Sequence, residues 1–215
     1  GNIVLRLLKT MSVKVDDILV IGKHIAAEIA EKICHSPIIK EDDFMKVLLV
    51  NGSPHRNGCT DTALREVAGA LQAEGIDAEI FWIGGKPVGS CMGCGGCRKL
   101  GRCVYDDAVN SFRQKAAEAD GFVFGAPVHY AHAASSLLGF MDRLFFSGSA
   151  DLAHMPAAAV CSARRGGTTA SFDDINKFFT INQMPVVSSG YWNVVHGNSP
   201  EEVVQDLEGM QIMRT

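Results

Sequence analysis

The sequence predicts an α/β protein built on a five-stranded parallel sheet with helices on both faces. From Met45 onward, short apolar runs alternate with segments of helical periodicity, which is typical of a parallel sheet with crossover helices. The apolar runs are nearly continuous, as expected of strands that are buried on both faces. The chain has 215 residues, which is enough for one such domain plus an additional segment.

Each element follows from its local sequence pattern. In the first predicted helix, apolar residues recur every three or four positions and form one core-facing stripe, and Gly75 follows as a suitable C-cap. Ser199, Pro200 and Glu202 form a typical start for the last helix. We predict strands at residues 46–51, 78–83, 121–125, 157–162 and 185–189, and helices at residues 60–74, 107–119, 133–146, 169–181 and 201–213.

Residues 1–44 are predicted to form a helical extension that precedes the domain at residues 45–215. Apolar and charged residues alternate at helical spacing in residues 16–34, and Pro37 follows as a stop signal. We expect this helix to cover a sheet edge or to join a dimer. The apolar stretch at residues 2–9 is expected to pack where an apolar continuation of the C-terminal helix would lie, in its own or a neighbouring subunit.

Composition argues against several classes of function. The formal net charge is −4 and no basic stripe is visible, so nucleic acid is not expected as a partner. No apolar run approaches the roughly 18 to 20 residues that span a bilayer, and the start does not have the pattern of a signal peptide. We therefore expect a cytoplasmic protein without a membrane partner.

The segment that joins the first strand to the first helix is a candidate phosphate loop. It reads NGSPHRNGCT over residues 51–60. A helix N-terminus offers unpaired backbone N–H groups, Ser53 and Thr60 add hydroxyl donors, and His55 and Arg56 add charge. The loop has neither the ending of a nucleoside-triphosphate P-loop nor the glycine order of a dinucleotide fold. A turn that binds nothing, or a module for a phosphate ligand other than flavin, is the alternative.

This loop resembles the FMN-phosphate loop of the NADPH-dependent FMN reductase and flavodoxin-like families, in its Gly-Ser-Pro-x-x-x-Gly-x-Thr order. Residues 126–132 and 162–168 resemble the loops that run along the flavin ring and its pyrimidine edge. The resemblance implies a flavodoxin-like sheet of order 2-1-3-4-5 and FMN as cofactor. In the helix after the second loop, we expect Asp142 and Arg143 to form an ion pair. The implied FMN contacts are Ser53, His55, Arg56, Gly58, Cys59, Thr60, Pro127, Val128, His129, Tyr130, Ala131, Ser162, Arg164, Arg165, Gly166 and Gly167.

Four of the seven cysteines lie in one short stretch, at Cys91, Cys94, Cys97 and Cys103. That clustering favours metal or redox chemistry over a disulfide framework. Four thiolates with repeated two-residue spacing suit a [4Fe–4S] cluster, and the intervening glycines let the backbone wrap around it. Structural zinc sites usually join two separated cysteine pairs, but zinc and a metal-free loop both remain open.

The cysteine spacing, placed after the second strand of such a chain, resembles the iron-sulfur flavoproteins. That resemblance implies electron exchange between FMN and a [4Fe–4S] cluster, typically across the interface of a homodimer or homotetramer. We therefore predict an FMN-dependent oxidoreductase that takes electrons from NAD(P)H or ferredoxin. The flavin carries the chemistry, and no catalytic side chain is expected. The alternatives are an NAD(P)H-dependent FMN or quinone reductase without a cluster, and a non-enzymatic flavin redox carrier.

Overall fold

Within residues 45–215, which are the residues that the computed structural model describes, the backbone forms six strands and seven helices. The chain divides into two units, Gly1–Asp43 and Phe44–Thr215. The extension predicted at residues 1–44 lies outside the described residues, as does the expected packing of residues 2–9. No helix among the described residues combines the length and apolarity that a bilayer crossing requires.

The elements follow one another in the alternating order that the sequence predicts. The strands are β1 Lys46–Asn51, β2 Asp77–Trp82, β3 Gly121–His129, β4 His132–Ala133, β5 Ala157–Ala163 and β6 Val194–His196. The helices are α1 Cys59–Ala73, α2 Cys97–Leu100, α3 Ala108–Ala116, α4 Ser135–Leu152, α5 Thr168–Ile181, α6 Pro200–Gln205 and α7 Leu207–Arg214.

The sheet has the order β2-β1-β3-β5-β6, and the pairs along this path are parallel. The short β4 pairs antiparallel with the end of β3, off that path. Once β4 is set aside, this order is the predicted 2-1-3-4-5, and the flavodoxin-like fold class is confirmed. Because all five strands run in one direction, the loops after β1, β3 and β5 leave the same edge of the sheet.

Helices pack on both faces of the sheet, as strand alternation requires. In β1, Leu48 and Val50 belong to one buried cluster and Leu49 belongs to the other, because successive side chains point to opposite faces. Phe112 of α3 and Phe140 of α4 lie 5.5 Å apart, centroid to centroid, within the first cluster. The second cluster contains apolar residues of α1 and α7. Both faces of the central strands are therefore buried.

The last predicted helix begins as expected but is two helices. Ser199 Oγ accepts from the Glu202 backbone N–H at 3.3 Å, with Pro200 in the first turn, which confirms the predicted start. Asp206 then ends α6, and its carboxylate accepts from Gly209 N at 3.0 Å to cap α7. The same carboxylate accepts from His196 N at 2.7 Å. This contact with the end of β6 is made at the break between α6 and α7, which the helical periodicity of the sequence does not reveal.

The strand predicted at residues 185–189 is wrong, because the last strand of the sheet is β6. Val186 forms only an isolated bridge to Ala157, with Pro185 O and Val187 N bonded to that same residue. Pro185 has no N–H to donate to a ladder, and Val186 and Val187 are exposed. In β6, Val194 and Val195 are buried and belong to opposite core clusters. The last strand therefore forms at Val194 and Val195, because these two residues can be buried on both faces of the sheet.

Candidate functional site

The loops after β1, β3 and β5 are linked to one another at the carboxyl edge of the sheet. Thr60 Oγ1 and Ser162 Oγ lie 2.8 Å apart and share a hydrogen bond, which joins the first loop to the third. Ser136 Oγ, in the first turn of α4, donates to Gly52 O at 3.1 Å, so the helix after the second loop is tied to the first loop. The three segments singled out by the sequence therefore form one continuous site.

Asn51, the last residue of β1, holds the candidate phosphate loop in place through hydrogen bonds of its side chain. Its side chain is fully buried. Its Oδ1 accepts from Ser53 N at 3.0 Å, and its Nδ2 donates to Arg56 O at 3.1 Å and to Asp61 Oδ1 at 3.3 Å. The sequence interpretation did not single out Asn51, although a polar residue that ends a buried strand was an available signal. Its hydrogen bonds give the loop a defined shape.

The first turn of α1 presents backbone donors to this loop. Gly58 is the N-cap and has no side chain to bond these N–H groups, which have no acceptor within the helix. The buried Ser53 hydroxyl accepts from His55 N at 3.1 Å and keeps its own proton available for donation. Asp61 places a carboxylate in the same turn, where Arg65 Nε bonds it at 2.6 Å. That ion pair offsets a negative charge that would oppose anion binding.

Trp82, at the carboxyl end of β2, supports the outer side of the same loop. Its Nε1 donates to Ser53 O at 2.8 Å, and the guanidinium of Arg56 lies 5.7 Å from the centroid of its ring. The sequence interpretation missed Trp82, which occupies the same strand-end position as the residues it did identify. His55 and Arg56 are exposed, as a charged rim of this site requires.

Cys59 has its thiol turned away from the candidate phosphate site. Its Sγ donates to Gly197 O at 3.7 Å, in the segment after β6. Burial raises the pKa of this thiol, and the nearby carboxylates of Glu202 and Glu201 raise it further. Cys59 therefore offers a phosphate its backbone N–H rather than a thiolate.

The second loop is a tight hairpin rather than a direct connection to a helix. Strand β3 continues through Pro127 and Val128 to His129, which pairs with His132 of β4. The turn residues Tyr130 and Ala131 have φ of 51° and 62°. Two-residue turns of this hand favour Asn or Gly, so Tyr and Ala carry backbone strain of about 1–3 kcal/mol each. The side chain of Tyr130 is fully exposed at the tip.

The third loop packs directly on this hairpin at Gly167. The φ of Gly167 is +98°, and a Cβ there would overlap Ala131 Cα and Val128 Cγ1. The expected close approach of a glycine is therefore present, but its partner is the second loop. Gly166 has open space around it, and Arg164 and Arg165 are exposed. Ser162 is buried through its bond to Thr60.

The four clustered cysteines line one cavity of about 20 Å³ between α2 and α4. Cys103 is buried, Cys91 and Cys97 are half-buried and Cys94 is exposed. The loop is shaped by glycines, as predicted, because Gly93, Gly95 and Gly101 all have left-handed φ of 64° to 69°. Among residues 45–215, no three His, Cys, Asp or Glu side chains converge closely enough to hold a single metal ion.

Arg143 forms its ion pair with Asp107, so the expected pairing with Asp142 is wrong. Adjacent helical residues point in different directions, and Arg143 is directed at the N-cap of α3, where its two terminal nitrogens donate to the Asp107 carboxylate at 2.7 and 2.9 Å. Burial opposes the charge, but the hydrogen bonds and charges of Asp107 and Cys103 together outweigh it, so the pKa of Arg143 lies above its ordinary value. Burial raises the pKa of Asp142, for which no partner is found among the described residues.

Comparison with known proteins identifies the family. Residues 45–199 match the family model described as NADPH-dependent FMN reductase. The chain belongs to the NADPH-dependent FMN reductase family. This family member is 32% identical over 178 residues to an iron-sulfur flavoprotein of Methanocaldococcus jannaschii, covering 79% of this chain and 92% of that protein. It is 26% identical to an iron-sulfur flavoprotein of Methanosarcina thermophila, covering 78% and 88% of the two chains.

Solved structures agree on the fold of this family member. An NAD(P)H:quinone oxidoreductase from Methanothermobacter marburgensis superposes with a TM-score of 0.61 at 15% identity, covering 80% of this chain and 96% of that one. An archaeal flavodoxin superposes with a TM-score of 0.52 at 16% identity, covering 79% and 94%. These identities establish a shared fold alone. The family match and the sequence relatives confirm an FMN-dependent oxidoreductase related to the iron-sulfur flavoproteins.

Proposed function

We propose that this protein transfers electrons from a reduced donor, NAD(P)H or ferredoxin, through FMN to a [4Fe–4S] cluster held by Cys91, Cys94, Cys97 and Cys103. One observation supports the cluster independently of family membership. The four cysteines of one glycine-rich loop line a single cavity, and one of them is already buried and hydrogen-bonded. Bound FMN would accept electrons in pairs and release them singly, and a cluster would carry one electron at a time.

The first loop would hold the FMN phosphate. The unpaired N–H groups of the first turn of α1 point toward it, and the Ser53 and Thr60 hydroxyls lie beside them. His55 and Arg56 would add positive charge at the exposed rim. Asn51 and Trp82 would keep the loop in shape by the hydrogen bonds they already make.

The hairpin and the third loop would hold the flavin ring. His129, Tyr130 and Ala131 form the exposed tip of the hairpin, and Gly166 leaves open space for close approach by a ligand. Backbone N–H groups there, with Arg164 and Arg165 nearby, would stabilise negative charge on the pyrimidine edge of a reduced flavin. The packing of Gly167 on Ala131 fixes the spacing of the two loops.

The geometry of the cysteines suits a cubane better than a single zinc ion. Zinc needs four sulfurs about 2.3 Å from one centre, and the described side chains do not converge to that extent. In a [4Fe–4S] cluster each cysteine binds a different iron, which tolerates wider spacing of the sulfurs. The cavity of about 20 Å³ is close to the space of one water molecule, so a cluster would lie toward the solvent side marked by the exposed Cys94.

A homodimer or homotetramer is part of the same proposal. Met92 and Leu100 of the cysteine loop, and Phe146 beside it, are 70%, 58% and 57% exposed. Apolar side chains grouped in this way are typical of an interface. A second subunit placed there would shield the cluster from solvent. We further propose a cytoplasmic protein with small redox partners and with neither nucleic acid nor membrane as a partner, in keeping with the net charge of −4.

A reductase that passes electrons from NAD(P)H to free flavin or quinone, without a cluster, is the second candidate. The small size of the cavity between the cysteines favours it. A non-enzymatic flavin carrier differs from both in that NAD(P)H does not reduce its bound flavin.

Anaerobic purification followed by iron and acid-labile sulfide assays separates the two main candidates. We expect about four irons per chain, loss of iron in Cys97→Ser, and no loss in Cys161→Ser, a buried cysteine outside the loop. Iron-free protein whose flavin is bleached by NAD(P)H would reject the cluster and support the second candidate. Rapid bleaching by reduced ferredoxin, with none by NAD(P)H, would identify the donor.

A further inference from the structure

Arg143 is a buried cation that contacts one of the clustered cysteines. Its side chain is 4% exposed, and its Nε donates to Cys103 Sγ at 3.3 Å. Its terminal nitrogens are committed to the Asp107 carboxylate, and the guanidinium lies 5.0 Å from the centroid of the Tyr105 ring. Because Asp107 and Tyr105 hold the planar guanidinium in place, its Nε–H group is directed at the sulfur of Cys103.

The backbone of Cys103 is held just as firmly by Asn110 of α3. Asn110 Oδ1 accepts from Cys103 N at 3.0 Å, and its Nδ2 donates to Cys103 O at 3.0 Å and to Tyr105 O at 2.8 Å. The side chains of Asn110 and Cys103 are both buried. Cys103 is thus fixed at its backbone from α3 and at its sulfur from α4, whereas Cys94 is exposed.

We propose that Arg143 is a positioning residue that orients Cys103 and raises the reduction potential of the cluster. This rests on the proposed function, because it requires a cluster on the four cysteines. Hydrogen bonds to the sulfurs, local charge and burial are the levers that set such potentials. Reduction adds one electron, breaks no bond and moves no proton, so the gain in negative charge is stabilised by the N–H donor and the cation beside the sulfur.

Three exposed cations near the cysteine loop have a weaker influence on the cluster. Arg98, Lys99 and Arg102 are exposed, and Arg102 also pairs with Asp106 at 3.4 Å. Solvent and salt screen exposed charges far more than buried ones. Asp107 bonds the two terminal nitrogens of Arg143 and offsets part of its charge, whereas the Nε–H group bonds Cys103 Sγ. Arg143 therefore has the largest effect among these residues.

The test compares Arg143→Gln, Arg143→Lys and the control Arg102→Gln in the full chain, reconstituted anaerobically with FMN, iron and sulfide. Iron and sulfide are assayed first, and the midpoint potential is then measured by a dithionite titration followed by electron paramagnetic resonance. In Arg143→Gln we expect the potential to fall by about 59 mV or more, a tenfold change in a one-electron equilibrium constant. Arg143→Lys keeps the charge but loses the fork and shifts less. Arg102→Gln stays close to the wild type.

Each outcome bears on the inference separately from the proposed function. An Arg143→Gln protein with four irons and the wild-type potential overturns the inference and leaves the proposed function standing. Wild-type protein that binds no iron removes both. If Arg143→Gln binds FMN normally but loses iron, the positioning role is supported. If Arg143→Gln does not fold, Arg143→Lys decides by the same potential measurement, and an unchanged value again overturns the inference.

Discussion

The hydroxyl groups of Thr60 and Ser162 share a hydrogen bond of 2.8 Å, although the two residues are 102 positions apart in the chain. Thr60 lies in the first turn of α1 and Ser162 lies near the end of β5, and both side chains are buried. The bond sets the spacing between the loop proposed for the phosphate and the loop proposed for the flavin edge.

Thr60→Val is expected to weaken FMN binding about five- to tenfold, because a net hydrogen bond contributes about 1 kcal/mol. Ser162→Ala should give a similar loss, and the double variant should lose no more than the larger single change. Quenching of FMN fluorescence by apoprotein measures each affinity. Thr180→Val is the control, since within residues 45–215 that exposed hydroxyl bonds Lys177 O of its own helix. Fully additive losses would show that the two hydroxyls act independently.

Trp82→Phe is expected to weaken FMN binding about fivefold, since the ring that faces Arg56 is kept while the bond from Nε1 to Ser53 O is lost. Trp192→Phe is the matched control. Trp192 precedes β6 and packs against Tyr191, with ring centroids 5.0 Å apart, in a different segment from the candidate phosphate loop. The same fluorescence titration applies. Equal affinities in the two variants would remove Trp82 from the support of the loop.

Asp107→Ala is expected to lower the free energy of unfolding by about 2 kcal/mol. It removes an N-cap bond to Val109 N, usually about 1 kcal/mol, and leaves the buried Arg143 without its carboxylate. The second contribution is reduced because the Asp107 side chain is 41% exposed. Urea denaturation gives the value. Asp106→Ala loses only an exposed pair and should change stability by less than about 0.5 kcal/mol. Equal effects would contradict this account.

Cys161 gives a pH-dependent prediction, because burial raises the pKa of its thiol from 9.0 to about 12. Between those values the unfolded chain loses the proton and the folded chain keeps it, so stability is present below pH 9 and falls as the pH rises. The stability advantage of the wild type over Cys161→Ala should shrink by about 1.4 kcal/mol from pH 8 to pH 10. Urea denaturation at both pH values checks it, and a constant difference would contradict it.

Gly96→Ala is expected to halve iron incorporation or reduce it further, because its Cβ would overlap Val104 Cγ1 inside the cysteine loop. Overpacking of this kind typically costs about 1–3 kcal/mol. Gly89→Ala is the control, since no heavy atom lies within 4 Å of the added Cβ. Iron per chain in anaerobically reconstituted protein is the measurement. Full iron content in Gly96→Ala would show that the loop adapts without cost.

Much of the fold was predictable because burial on both faces leaves a continuous apolar run in each central strand. The same rule explains why the strand predicted at residues 185–189 is wrong, because that segment is not buried on both faces. Its apolar residues are exposed, and Val194 and Val195 take the place in the sheet. Short apolar runs near a chain end do not reveal which of them will find a neighbour. The hairpin at β4 was missed because Tyr130 and Ala131 are not the residues that such turns favour.

In the candidate site, strand-end position and loop composition predicted which segments meet, but side-chain partners depended on tertiary contacts. Ser53 and Thr60 were identified because hydroxyls beside a helix start have a recognisable role. Asn51 and Trp82 stand at strand ends, which was an available signal, but the backbone atoms that their side chains bond in the loop are set by the folded structure. Arg143 was paired with its sequence neighbour, whereas the helix directs it across to α3.

The parallel α/β architecture, the three loops at one edge of the sheet and the grouping of four cysteines could all be predicted from the sequence, because periodicity, turn chemistry and spacing are local properties of the chain. The folded chain was needed to show that Thr60 bonds Ser162, that Gly167 packs on Ala131 and that Arg143 bonds Cys103. These contacts depend on how helices and strands distant in sequence are stacked, and that stacking is set by the burial of the two apolar faces of the sheet.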